Sequence, residues 1–150
     1  MTWNKEGFII SDDKKLLDIE YIHDYLSNKS YWSKNIPIQI VKKSIEGSIC
    51  FGVYEKQNQI GFARVVSDKA TFAYLGDVFI DENYRAKGLS KWLMEVIINY
   101  PDLQGMRRWM LGTLDAHTLY EKFGFKPLEE PTRFMHRHNP DVYVKKSDKL

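Results

Sequence analysis

VFIDENYRAKGLSKWLMEVII, residues 78–98, changes its period half-way along. Val78, Phe79 and Ile80 have the β-branched and aromatic character of a strand end. Leu89, Trp92, Leu93, Val96 and Ile97 fall at i, i+3, i+4, i+7 and i+8, one face of a helix that begins near Gly88 and is closed by Pro101. Between strand and helix lies a turn with Arg85, Lys87 and Gly88. A helix start leaves backbone N–H groups without intrahelical acceptors and carries partial positive charge, and an anion such as a phosphate satisfies both. Glycine at 88 lets a ligand approach the backbone, Arg85 and Lys87 add charge, and Ser90 offers a hydroxyl. Neither G-x-x-x-x-G-K-[ST] nor G-x-G-x-x-G occurs, so this is not a nucleoside triphosphate or dinucleotide loop.

Upstream, residues 48–55 and 59–67 are rich in β-branched and aromatic residues and flank Lys56, Gln57 and Asn58, the pattern of an antiparallel hairpin. Residues 69–80 form a third strand, broken by Gly76. Nearer the N-terminus a short strand at 7–10 precedes Ser11, Asp12 and Asp13, any of which can cap a helix whose apolar face runs from Leu16 to Leu26. A loop at 29–37 carries Tyr31 and Trp32, and a helix at 38–45 ends at Gly47. Downstream follow a strand at 107–113, a short helix at 115–123 ended by Gly124, a last strand at 132–138 and a polar tail at 145–150 expected to fray. Runs of strands with one strand–helix–strand crossover predict an α+β, mixed α/β domain. It spans residues 1–150, with a core over about 7–138.

The chain's 150 residues suit one domain, and a domain of that length buries roughly 70% of its unfolded surface. Hydrophobic residues at 43% and charged residues at 28% exclude a largely disordered chain. With 22 Lys and Arg against 20 Asp and Glu, the net charge of +2 makes no field that would recruit nucleic acid or an anionic membrane. A single cysteine, Cys50, excludes an intrachain disulfide and a multi-cysteine zinc site. The N-terminus has charges where a signal peptide needs an apolar stretch, and no window reaches the ~20 apolar residues of a membrane span, so a cytoplasmic protein is expected.

Arg85-x-x-Gly88-x-Ser90 after a strand, with DAHTLYEKFGF at 115–125 after the next strand, resembles the GCN5-related N-acetyltransferase (GNAT) superfamily. The likeness covers residues 59–125 in motif and the first 50 residues in element order. It implies a mostly antiparallel twisted sheet of about six or seven strands flanked by about four helices, with acetyl-CoA as co-substrate and no metal. Around the diphosphate it implies Arg85, Ala86, Lys87, Gly88, Leu89 and Ser90. The backbone of Val78, Phe79 and Ile80 would serve the pantetheine arm, and Asp115 and Phe123 complete the cofactor set. Two positions depart from the family pattern: Ser90 replaces a Gly or Ala, and Asp115 stands where many relatives have Asn.

The same likeness assigns Tyr120 to the departing thiolate. Tyrosine titrates near ~10 and a thiol near ~8.5, so full proton transfer is uphill by ~2 kcal/mol. Tyr120 is therefore expected to act mainly as a hydrogen-bond donor to sulfur, or to carry a lowered pKa. Some relatives place a glutamate nine residues before the loop arginine; here that position is Gly76. The neighbouring Asp77 is the catalytic base candidate, yet regular alternation turns it to the opposite face unless Gly76 marks a bulge. Tyr74 shares the face of position 76. Tyr31, Trp32, Tyr74 and Arg133 are the candidates for the acceptor site. His136 and His138 lack the partners a metal needs.

No covalent nucleophile is evident, so the expected reaction is direct attack of a primary amine, of a small molecule or peptide, in a ternary complex. The chain is expected to act as a monomer or homodimer. The alternative is a non-catalytic acyl-CoA binding or sensor module of the same fold.

Overall fold

A computed structural model describes residues 1–144; the tail at 145–150 lies outside them. In chain order the regular elements are β1 (Thr2–Lys5), β2 (Phe8–Ser11), α1 (Ile19–Asp24), α2 (Ile38–Glu46), β3 (Ile49–Glu55), β4 (Asn58–Ser67), β5 (Phe72–Ile80), α3 (Leu89–Ile98), β6 (Arg108–Leu111) and α4 (His117–Glu121). The strands form one six-stranded sheet in sequence order. Every neighbouring pair is antiparallel except β5 and β6, which run parallel because α3 carries the chain back across the sheet. This is the α+β domain that the element pattern predicts, with the mostly antiparallel sheet and four α-helices that the resemblance implies.

Strand alternation separates two cores. Phe51, Val53, Ala63, Val65, Ala73 and Leu75 bury against Leu89, Leu93, Met94 and Ile97 of α3. On the opposite face Cys50, Phe62 and Phe79 pack with Ile22, Leu26, Val41 and Ile45 of the α1–α2 layer. Ala73 and Leu75 thus lie on one face while Phe79, at the same parity, lies on the other. The reversal has a local cause. Phe62 pairs with Phe79 and Arg64 with Gly76, so Asp77 and Val78 together oppose the single residue Ala63. Asp77 carries a φ of +52°, the left-handed conformation of a bulge.

Four expectations change. Residues 2–5 pair with β2 as an extra strand, although their burial is slight. The helix expected to begin after residues 11–13 starts at Ile19, where the Asp18 carboxylate accepts from the Tyr21 amide, and it ends in a π turn at Tyr25–Lys29. The third strand begins at Phe72, because the Asp68 side chain accepts from the amides of Ala70, Thr71 and Phe72 and holds a turn before it. Residues 132–138 form no strand: Pro131–Arg133 is a 3-10 turn, and the chain beyond it is irregular and exposed. Alternation there places His136 and His138 with rings 6.1 Å apart but buries neither face. No helix among the described residues is long and apolar enough to cross a membrane.

Candidate active site

β5 and β6 pair only from Phe72↔Arg108 to Leu75↔Leu111. Beyond Leu75 the bulge turns β5 away, β6 stops at Leu111, and the two strands part. The gap is a cleft of about 490 Å³ lined by Gly76, Asp77 and Val78 of β5, by residues 111–116 after β6, by Tyr120 of α4, and by Tyr31, Trp32 and Tyr74. Along its β5 wall the backbone from Gly76 to Ile80 has no strand partner on the β6 side.

A second hollow of about 210 Å³ adjoins the α3 start and is lined by Ile80, Tyr84, Arg85, Ala86, Gly88, Leu89, Ser90, Lys91 and Leu119. β5 and α4 border both hollows, through Val78 and Tyr120 at one and Ile80 and Leu119 at the other. Ala86 and Gly88 have φ of +63° and +76°, which bends the turn before a helix whose N-cap, Gly88, supplies no side-chain acceptor. The first-turn residues of α3 line the hollow, their amides have no side-chain cap among the described residues, and the exposed Lys87 lies next to them in the chain. A Cβ at Gly88 would meet nothing within 4 Å, so the space over the turn is open. Arg85 folds back instead: its Nε donates to the Ile80 carbonyl at 3.3 Å and its Nη2 to the Tyr25 hydroxyl at 3.3 Å. The Tyr25 ring stacks on Phe79 at 3.8 Å, tying the turn to the α1 layer.

The loop after the π turn forms the opposite wall. Ser30 is buried and donates to the Leu26 carbonyl at 2.6 Å, Asn35 donates its amide to Ser27, and the His23 ring bonds the Ile36 carbonyl at 2.9 Å. So anchored, the loop projects Tyr31 and Trp32 into the cleft. The Tyr31 hydroxyl accepts from the Leu114 amide at 2.9 Å, and Trp32 Nε1 donates to Asp77 Oδ1 at 2.7 Å. Arg64 Nε donates to Asp77 Oδ2 at 2.6 Å, and its Nη1 donates to Ser48. Both Asp77 oxygens are thus engaged, and the side chain is 8% exposed. Tyr120 is 8% exposed, and burial first, with Tyr31 and Asp115 adding to it, pushes its phenol up to about 12. A phenol so shifted keeps its proton and so has a hydrogen to donate.

The family model for the acetyltransferase (GNAT) domain matches residues 46–127, which run from the end of α2 past α4 and include both hollows' β5 and α4 walls. The chain belongs to the GNAT acetyltransferase family. Similar GNAT proteins include a candidate acetyltransferase from Xanthomonas campestris pv. campestris, whose crystal structure is 46% identical, with a TM-score of 0.91 over 95% of this chain and all (100%) of that one. A candidate acetyltransferase from Gibberella zeae is 29% identical over 85% of this chain and 84% of its own. The fold also matches, at a TM-score of 0.61 and 16% identity over 81% of this chain and 78% of the other, a GNAT acetyltransferase from Elizabethkingia anophelis with acetyl-CoA bound.

Within this GNAT frame the structure brings Tyr31, Trp32, Tyr74, Asp77, Val78, Asp115 and Tyr120 to one cleft. It gathers Ile80, Arg85, Ala86, Gly88, Leu89 and Ser90 at the adjoining hollow. Phe79 turns to the α1 core, so only its backbone borders the strand gap. Phe123 and Arg133 lie elsewhere, around a hollow behind β6 where Arg133 pairs with Glu130 and the Arg108 guanidinium sits 4.7 Å from the Phe134 ring centroid. Arg64 and Tyr25 escape sequence reasoning because their partners are distant in the chain. The one local trace of Arg64 is a charge at an otherwise apolar strand position.

Proposed function

We propose that this GNAT protein is an acetyl-CoA-dependent N-acetyltransferase that acetylates a primary amine by direct attack within a ternary complex. The observation that carries this reading is the parting of β5 and β6, which joins an aromatic cleft to a donor-rich turn through two shared walls. Such a gap fits a long thin ligand with an anionic end. The amides at the start of α3 and Lys87 would hold the diphosphate, with the Ser90 hydroxyl beside them, and the free edge of β5 would pair with the amide-bearing arm. Ser90 is half-buried and leaves the hollow open, so its hydroxyl is compatible with the fit. Acetyl-CoA supplies a thioester carbonyl and a thiolate leaving group when bound.

Tyr120, protonated across the physiological range, would donate a hydrogen bond toward the sulfur position. A backbone N–H on the free edge of β5 would face the developing oxyanion. Asp77 is better suited to hold Trp32 and the acceptor wall than to take a proton, since Trp32 and Arg64 already occupy its oxygens. The amine would then lose its proton to water in the exposed cleft. The test is free-thiol release from acetyl-CoA with an amine panel, alongside calorimetric titration with coenzyme A. Binding and amine-dependent thiol release together are expected; failure to bind coenzyme A at millimolar concentration would remove the reading. Binding with no turnover on any amine would leave only an acyl-CoA binding module.

A further inference from the structure

The charge inventory of the cleft narrows the acceptor, an inference that rests on the acetyl-transfer reading above. Among the described residues that line it there is no lysine, arginine or histidine, and the two carboxylic acids are Asp77 and Asp115. Arg64 compensates Asp77 at 2.6 Å, so that carboxylate adds no net charge. Asp115 differs. It is exposed at the rim and takes part in none of the ion pairs among the described residues. Beside it the Tyr31 hydroxyl is held by the Leu114 amide, and the Tyr31 and Trp32 rings meet at 82° with centroids 5.0 Å apart. That corner, with Tyr74 across the cleft, suits a compact cation: ring faces attract a protonated nitrogen, and a carboxylate adds a charged acceptor. No described residue lining the cleft would neutralise a carboxylate or phosphate on the acceptor.

The attacking nitrogen must give up its proton in the cleft to react, so a nitrogen held as a cation at this corner throughout the reaction is a second one. We propose that the acceptor is a diamine: a primary amine that attacks near Tyr120, joined by an apolar spacer to a second nitrogen that stays protonated against Asp115 and the Tyr31–Trp32 corner.

Three acceptors with the same attacking amine and similar length test this: 1,4-diaminobutane, pentylamine and 4-aminobutyrate, each compared by kcat/KM for thiol release. The diamine should exceed pentylamine by about tenfold, and pentylamine should exceed the amino acid again. Equal or better turnover of 4-aminobutyrate overturns the inference. So does the absence of turnover on all three while calorimetry shows coenzyme A bound, an outcome that leaves the cofactor reading standing; no binding of coenzyme A removes both. In Asp115→Asn the ratio of diamine to pentylamine, taken within the variant so that any change in cofactor affinity cancels, should fall toward one. An unchanged ratio overturns the assignment to Asp115.

Discussion

Tyr120 and Asp77 differ in what their surroundings allow. Burial holds the Tyr120 proton, so Tyr120→Phe should lower kcat by about 10- to 100-fold, near or below the lower end of full acid–base catalysis. Its pH–rate profile between pH 7 and 10 should keep the native shape; a basic limb present in the native protein and lost in the variant would point to a lowered phenol pKa instead. For Asp77 the expectation is a change in binding more than in proton transfer. Asp77→Asn leaves Arg64 without its anionic partner and loosens the Trp32 contact. KM for the amine should rise severalfold without a displaced acid limb, and thermal melting should fall, since breaking a partly buried pair by removing one member is costly. The sequence shows both residues, and one tyrosine in a short motif suffices to propose its role. The Asp77 partners were not legible, because Trp32 and Arg64 lie 45 and 13 residues away and meet it only through folding.

At the scale of elements, two glycines test how the strand gap and the turn are built. Gly61 lies opposite Ile80, and a Cβ there would come within 2.7 Å of Ile80 Cδ1 and 2.9 Å of the Phe79 carbonyl oxygen. The carbonyl is backbone and cannot swing aside, so Gly61→Ala should cost about 1–3 kcal/mol, read as a lower urea midpoint at constant m. Gly88 has room for a methyl group but a φ of +76°, so Gly88→Ala should strain the turn by about 1–2 kcal/mol and weaken coenzyme A binding in calorimetry more than it lowers the melting temperature. Periodicity makes α3, the β3–β4 hairpin and α2 readable from sequence, since each buries a face that recurs at its own period. It misses β1, which buries little, and misreads 132–138, where alternation meets no sheet edge.

Across the whole molecule, buried groups that keep protons set the alkaline limit. The Cys50 thiol is pushed up to about 11 and the Tyr120 phenol to about 12, with burial the first cause for each, and burial also raises Tyr54, whose hydroxyl has no partner among the described residues. On unfolding these groups titrate at their ordinary values, near ~8.5 and ~10. Between those values and the folded ones the unfolded chain holds fewer protons, so stability falls as pH rises. The melting temperature should therefore be flat with respect to these groups below about pH 7.5 and drop progressively from about pH 8 to 12, as differential scanning calorimetry would record; constancy to pH 11 would refute their burial. Local information in the chain was enough for the sheet's grammar, the turn at 85–90 and the family, because period, helix-start chemistry and a short motif each act over a few neighbouring residues. The bulge that turns Asp77, the parting of β5 from β6 and the corner of Tyr31 and Trp32 beside Asp115 were decided by tertiary packing. Each depends on contacts between residues far apart in the chain, and such contacts leave no periodic mark for a sequence to carry.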